Sequence, residues 1–197
     1  MSIVVILALG AASLSTEAPV ARTEALIVAL KKVAPLPQAP TDADLATREQ
    51  QFAELDTYFD LDTLVTDALA PRAAALTPAE LTRLRQSFRA VLRKAAYGMS
   101  GDAFRKGQLA IEPLAAKSGG QPVRVKVSVP AEDTDHAIDF VWRPVGGTLK
   151  VVDVRLEGDS LVKDYQNQVA RLIDKGGAAA LQMALDKKQA AVDRTPR

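Results

Sequence analysis

The sequence predicts an α+β fold in which helices cover one face of a four-stranded antiparallel sheet. Apolar residues recur at helical spacing through the first half of the chain and again after Gly158. Between these two parts, apolar and polar residues alternate with a period of two, which is typical of strands with one buried face. Glycine turns separate the alternating segments, and strands joined by such short turns pair antiparallel.

The first half of the chain is expected to contain most of about six helices. Prolines within residues 35–40 separate a first helix, over residues 21–33, from a second that begins at Thr41 or Asp42. Proline disfavours helix at its own position and at the preceding one, and Thr and Asp side chains both cap helices. A short third helix is expected to end at Leu69.

The fourth helix has the clearest start signal in the chain. Thr77 can accept a hydrogen bond from the free amides of the first turn, Pro78 suits the first helical position, and Glu80 completes a capping box. One apolar stripe follows at helical spacing. The pattern predicts that this helix ends near Tyr97 and Gly98.

Four strands are predicted after this helix, over residues 108–114, 123–129, 138–142 and 149–156. In the second strand the four valines point to one face, while arginine, lysine and serine point to the other. The third strand places isoleucine, phenylalanine and tryptophan on a single face in the same way. A glycine pair turns the chain between the third and fourth strands.

Two further helices are expected after the sheet. Asp159 or Ser160 caps the first of them, and Gly176 and Gly177 form its stop signal. The last helix covers residues 178–188.

The N-terminus contains a short apolar run, over residues 3–12. A membrane-spanning helix needs about 20 apolar residues, so this run fits the core of a signal peptide better. We therefore expect a signal peptide over residues 1–20, one domain over residues 21–190 and a polar tail over residues 191–197. A buried N-terminal helix or strand is the alternative.

The composition excludes several classes of function. The formal net charge is +1, which argues against a nucleic-acid partner, because such a partner needs a concentrated basic surface. The chain has no cysteine and a single histidine, so a zinc site built from these ligands is not expected. Glu132, Asp133 and Asp135 could hold calcium weakly, but a solvated acidic turn is the simpler interpretation. No metal or cofactor is expected.

One pair of motifs raises the alternative of a lipid esterase. Residues 158–161 read Gly-Asp-Ser-Leu, and Asp133 precedes His136 at the spacing by which such hydrolases supply a base and its orienting carboxylate. In those enzymes the serine motif comes early, whereas here the order is reversed and no parallel βαβ pattern surrounds either motif. Ser160 is therefore interpreted as a helix cap, and no catalytic residue is assigned.

An ordered set of segments resembles the MlaC, or toluene-tolerance, family of periplasmic phospholipid-binding proteins. The set comprises residues 59–61, the helix over residues 77–97, the aromatic strand over residues 138–143, and residues 150–161 with the helix that follows. A related branch is associated with hopanoid biosynthesis, so the resemblance allows a cargo other than a glycerophospholipid.

The resemblance implies an MlaC-like, NTF2-like fold with an apolar cavity between the sheet and the helices. It implies a periplasmic carrier that moves phospholipid or a related lipid between an outer-membrane lipoprotein complex and an inner-membrane ABC-type transporter. The apolar faces of the strands, of the fourth helix and of the helix after the sheet are the candidate lining. The candidate residues are Leu84, Phe88, Leu92, Tyr97, Val125, Val127, Val129, Ile138, Phe140, Trp142, Val152, Val154, Leu156 and Tyr165.

The same residues would also fill an ordinary solid core, since periodicity does not distinguish a core from a cavity. A periplasmic structural or adaptor protein is therefore the alternative to the carrier.

Overall fold

The computed structural model describes residues 17–130 and 134–194 of the chain. The predicted signal peptide lies outside these residues except for its last four positions, which begin the first helix. The order of elements confirms the α+β fold. The elements are α1 (Glu17–Lys32), α2 (Asp42–Asp56), α3 (Leu61–Leu69), a 3₁₀ helix (Ala70–Ala75), α4 (Pro78–Lys106), β1 (Gln108–Pro113), β2 (Gln121–Val129), β3 (Thr134–Val145), β4 (Thr148–Leu156), β5 (Asp159–Ser160) and α5 (Leu161–Arg194).

The sheet is antiparallel throughout and has five strands in the order β1-β2-β3-β4-β5, rather than the four predicted. The additional strand is short and pairs with Arg155 and Leu156 at the end of β4. It forms because Glu157 and Gly158 both adopt positive φ angles, which turn the chain back on itself. The two residues of this strand, Asp159 and Ser160, are the ones that the sequence pattern assigns to a helix cap.

The described residues form five α-helices and one 3₁₀ helix, against about six helices predicted. The predicted end of the fourth helix at Tyr97 and Gly98 is wrong, because α4 continues to Lys106. Gly101 is needed inside this helix, since a Cβ there would lie 2.7 Å from the carbonyl oxygen of Val33 at the end of α1. The glycine therefore permits close helix packing and does not end the helix.

The last two predicted helices lie within α5. Gly176 and Gly177 have non-helical angles, with Gly177 at a φ of 64°, so the helix is broken where the stop signal was expected. The N-terminal caps also agree with the sequence. The amide of Glu80 donates to Thr77 Oγ1, and the amide of Thr77 donates to Glu80 Oε2 at 2.8 Å, which completes the predicted capping box.

Buried apolar side chains form two clusters. The first, called here the sheet core, lies between one face of the sheet and α1, α2 and the C-terminal half of α4. The second, called the helical core, lies between α3, the N-terminal half of α4 and α5. Helix α4 contributes to both, and it therefore joins the sheet to the helical part of the domain.

The edge of the sheet at β4 is tied to the helices through the backbone. The amide of Val151 donates to the carbonyl of Tyr58 at 2.8 Å, and the amide of Asp60 donates to the carbonyl of Val151 at 2.9 Å. These bonds fix the connection between α2 and α3 against the strand. Within residues 17–130 and 134–194, no helix is both long and apolar enough to span a membrane.

Candidate functional site

The face of the sheet that points to the sheet core, called here the inner face, is apolar across four strands. One row of register partners consists of Ile111, Val125, Ile138 and Leu156, one from each of β1 to β4. The valines of β2 are all buried on this face, as their period-two spacing predicts. The inner face therefore provides a continuous apolar surface several strands wide.

The burial of the inner face changes along β3 and β4. Trp142 is 1% exposed and Phe140 is also buried, whereas Leu156, at the other end of the sheet, is 46% exposed. Ile138 and Val154, which lie between them, are partly buried. All five belong to the predicted lining, and the structure places them together on one face.

A β-bulge changes the register of one predicted residue. Val141 pairs with Asp153, but the next residue, Trp142, pairs with Val151, so Val152 has no partner in the ladder. Val151 is fully buried in the sheet core and occupies the place that alternation alone assigns to Val152. Val152 is buried as well, outside the sheet core.

The predicted residues on the helices divide between the two cores. Leu84, Phe88 and Leu92 are buried in the helical core, where Phe88 makes an edge-to-face contact with Tyr165 at 5.2 Å between ring centroids. Tyr97 is in the sheet core. Because each residue of an α-helix turns by about 100°, Tyr97 faces almost opposite to the other three. The structure therefore does not bring all candidates to one surface.

Helix α1 contacts the inner face, although the sequence analysis placed none of its residues in the lining. Leu26, Leu30 and Val33 are buried against the strands. The indole Nε1–H of Trp142 donates to Thr23 Oγ1 at 2.8 Å, and the Thr23 hydroxyl donates to the carbonyl of Pro19 at 2.8 Å. This buried bond satisfies both polar groups and joins α1 to β3.

A polar cluster lies where α2 and α4 meet beside the sheet core. The hydroxyl of buried Tyr97 donates to Asp56 Oδ1 at 3.1 Å, and Arg93 Nε donates to Asp56 Oδ2 at 2.9 Å. Arg93 also donates two hydrogen bonds to Glu49. Burial, together with the neighbouring carboxylate of Asp56, raises the pKa of Tyr97, so it remains a neutral donor.

The opposite face of the sheet, called the outer face, is charged. Glu112, Arg124, Asp139 and Arg155 are register partners on successive strands, so their charges alternate across the sheet. Arg124 donates two hydrogen bonds to Asp139, at 2.6 and 3.0 Å, although Asp139 is only 2% exposed. The sheet therefore separates an apolar surface from a charged one.

The family is decided by a comparison with family models. The model of the MlaC protein matches residues 27–187, which is most of the chain. This chain belongs to the MlaC family. No curated protein matches its sequence.

The fold agrees with this assignment to the MlaC family. A similar solved structure is that of the phospholipid-binding protein from Ralstonia solanacearum, determined at 1.53 Å in complex with a phospholipid. The two chains share 21% sequence identity with a TM-score of 0.66, and the match covers 92% of this chain and 99% of the other. At this identity the likeness shows a common fold.

Ser160 and His136 are the described catalytic candidates of the two esterase motifs, and each contacts another residue. Ser160 Oγ accepts a hydrogen bond from the amide of Lys163 at 3.1 Å, as a helix cap does. His136 Nδ1 lies 3.6 Å from Glu157 Oε1, both at the surface. Glu132 and Asp133, two of the three residues considered for calcium, lie outside the described residues, and the part that is described contains no cluster of metal ligands.

Proposed function

We propose that this MlaC-family protein is a periplasmic lipid carrier that buries the acyl chains of a phospholipid in the sheet core. The single observation that supports this most directly is the inner face, which is apolar across four strands and reaches the surface at Leu156. The similar Ralstonia structure holds a phospholipid within the same fold. Binding and release complete the cycle, with no catalytic step.

The energetics of transfer explain why such a site is needed. Each methylene removed from water contributes about 0.8 kcal/mol of favourable free energy. Transfer of two acyl chains with roughly 30 methylenes into water therefore costs about 20 kcal/mol or more. A carrier must therefore enclose both chains, while the phosphate stays in water. A binding site of this kind requires apolar walls and few polar groups.

We assign the acyl chains to the members of the predicted lining that face the sheet core. These are Tyr97, Val125, Val127, Val129, Ile138, Phe140, Trp142, Val154 and Leu156. Leu84, Phe88, Leu92 and Tyr165 are assigned to support of the helical core. Leu26 and Leu30 of α1 cover the inner face, so we infer that α1 moves outward when the chains bind.

Membership of the MlaC family supports a pathway between the two membranes. We propose that the protein, after export by its signal peptide, exchanges lipid with an outer-membrane lipoprotein complex and an inner-membrane ABC-type transporter. Phospholipid is the proposed cargo, and a hopanoid is the second lipid class to test. A carrier between such complexes must release its cargo, so moderate affinity and reversible opening fit the role.

A second candidate is a periplasmic adaptor with a solid core. It is favoured by one observation, which is that α1 and the inner face are already packed together, with Leu26 and Trp142 fully buried. Such a protein would need no lipid and would bind partners through its surface.

Mass spectrometry of the organic extract from protein purified without detergent separates the two candidates. We expect a phospholipid or a hopanoid in stoichiometric amount, and lipid-free protein should take up phospholipid from added liposomes. A clean extract, together with no uptake from liposomes, would reject the carrier in favour of the adaptor. The Ser160→Ala variant serves as a control, because it should bind lipid as the unchanged protein does.

A further inference from the structure

The inner face of the sheet is left uncovered at one corner. Leu156 is 46% exposed even though it lies on the face that forms the sheet core. Val28 and Met183 are also exposed, but helical geometry places both on the side of their helix away from its buried residues. Exposure of Leu156 therefore has a different cause, which is that residues 17–130 and 134–194 leave this part of the apolar face incompletely covered.

The uncovered residues form a continuous track into the interior. Leu156 is the register partner of Ile138, and Val154 is the partner of Phe140 on the next rung of the same face. Side chains that oppose each other in an antiparallel pair lie about 5 Å apart, so each pair is one contact surface. Exposure falls from Leu156, through partly buried Ile138 and Val154, to buried Phe140 and Trp142.

Within the part of the chain that the structure describes, the opening is confined to β3 and β4. On β2, Val127 and Val129 remain buried at the same end of the sheet. The turn between α4 and β1 covers this part, because a Cβ at Gly107 would lie 2.5 Å from a methyl carbon of Val127. The uncovered surface is therefore one corner and not a whole edge of the sheet.

The opposite end of the sheet has a hollow beside α1. This hollow of about 470 Å³ lies between Ala18, Ala21, Arg22 and Ala25 of α1 and Thr148 and Leu149 of β4. The neighbouring Thr23 and Trp142 are buried and hydrogen-bonded to each other. Their bond joins α1 to β3 beside the hollow, so entry from this end would require α1 to separate from the sheet.

We propose that the corner formed by Ile138, Val154 and Leu156, called here the port, admits the acyl chains of a phospholipid to the sheet core. The proposal rests on the proposed lipid-carrying function and names the route into that site. An acyl chain suits the port better than a protein partner, because the apolar track continues inward at the width of one pair of side chains. His136 and Glu157 flank it at the surface, where a headgroup would stay in water.

The absence of cysteine from the sequence makes a direct test possible, since one introduced cysteine is the only reactive thiol. The variants are Leu156→Cys at the port, Leu45→Cys as a control and Ala21→Cys at the hollow. Leu45 is a matched control because it is also a leucine, is 47% exposed and lies on α2. Each folded protein is labelled with a bulky maleimide, and circular dichroism checks that the fold is unchanged.

The measurement is the rate at which each labelled protein takes up a fluorescent phospholipid from vesicles of phosphatidylethanolamine and phosphatidylglycerol. Labelling at position 156 should slow uptake about tenfold or more, because association depends on access to one specific patch. Labelling at positions 45 and 21 should change the rate by less than about twofold.

Equal uptake by the proteins labelled at positions 156 and 45 would overturn the port while the carrier function stands. Slower uptake only after labelling at position 21 would also overturn it and move the route to the hollow. A dimer of the unlabelled protein that Leu156→Lys abolishes would reassign the corner to contact between two copies. If the unlabelled protein takes up no lipid, the carrier function and the port both fail.

Discussion

The sheet core and the helical core differ in how their apolar surfaces are closed. In the helical core, α3, α4 and α5 surround their shared side chains, so each helix covers the other two. In the sheet core, a wide apolar face depends on α1, α2 and the C-terminal half of α4 for cover, and Leu156 remains exposed. We infer that the helical core supplies stability, while the sheet core is the part that can admit a ligand.

The largest expected effect tests the helical core. Phe88→Ala removes a buried ring that packs against Tyr165, and we expect the free energy of unfolding to fall by about 3–5 kcal/mol. Chemical denaturation measures this change, with Leu45→Ala as the exposed control. Lipid uptake per folded molecule should stay unchanged. Phe140→Ala should lower the free energy of unfolding by a similar amount, but it should also shift the bound lipids towards longer acyl chains. Loss of lipid uptake in the folded Phe88→Ala variant would contradict the distinction drawn between the two cores.

The second-largest expected effect concerns the ion pair between Arg124 and Asp139 on the charged outer face of the sheet. Asp139→Ala leaves the guanidinium of Arg124 without its carboxylate, and we expect a loss of about 2 kcal/mol in the free energy of unfolding. Replacement of both residues, Arg124→Met with Asp139→Leu, should recover much of that loss. A double variant less stable than Asp139→Ala would show that the row of charges stabilises the sheet as a unit.

The bond between α1 and the sheet gives a smaller effect. Thr23→Val keeps the shape of the side chain but removes the acceptor of the Trp142 indole, so a buried donor is left unsatisfied. We expect a loss of about 1–2 kcal/mol by thermal denaturation, together with faster lipid uptake, because α1 is held less firmly. Thr23→Ser retains the hydroxyl and is the matched control. Unchanged uptake in Thr23→Val would argue against movement of α1.

The smallest effect is a pH dependence at the junction of α2 and α4. Hydrogen bonds from Arg93 lower the pKa of Glu49 in the folded protein, so its contribution to stability is present above the pKa of the unfolded chain, about 4.3. That contribution is lost as the pH falls through the lowered pKa of the folded state. Because Glu49 is largely exposed, we expect on the order of 0.5 kcal/mol. Melting temperatures of the unchanged protein and Glu49→Gln should differ at pH 7 and converge as the pH falls below the lowered pKa of Glu49.

The strands were the part of the fold that sequence reasoning predicted best, because alternation in a strand reports directly which face is buried. The face of Val125, Phe140 and Leu156 was predicted in this way. Alternation does not reveal a bulge, so the inward position of Val151 was missed. It also does not reveal which elements will cover a face, so the exposure of Leu156 was not foreseen.

The helices were harder to place. A helical stripe shows that one side is buried but not what it packs against, and for this reason the contact of α1 with the sheet was missed. The division of α4 between the two cores could have been predicted from the sequence. At about 100° per residue, Tyr97 does not lie on the same face of the helix as Leu84 and Phe88. Gly98 could not be distinguished from a stop signal, because a glycine inside a long helix looks the same in the sequence as one that ends it.

The central claim is that acyl chains bind in the sheet core and not in the helical core. Trp142 is the only tryptophan of the chain and is buried in the sheet core, so its fluorescence reports on that site alone. Phospholipid brominated on its acyl chains should quench Trp142 on binding, whereas unbrominated lipid should not. In a protein with Trp142→Phe and Phe88→Trp, the reporter lies in the helical core and should not be quenched. Bound lipid that leaves Trp142 unquenched, or that quenches the tryptophan at position 88, would contradict the account.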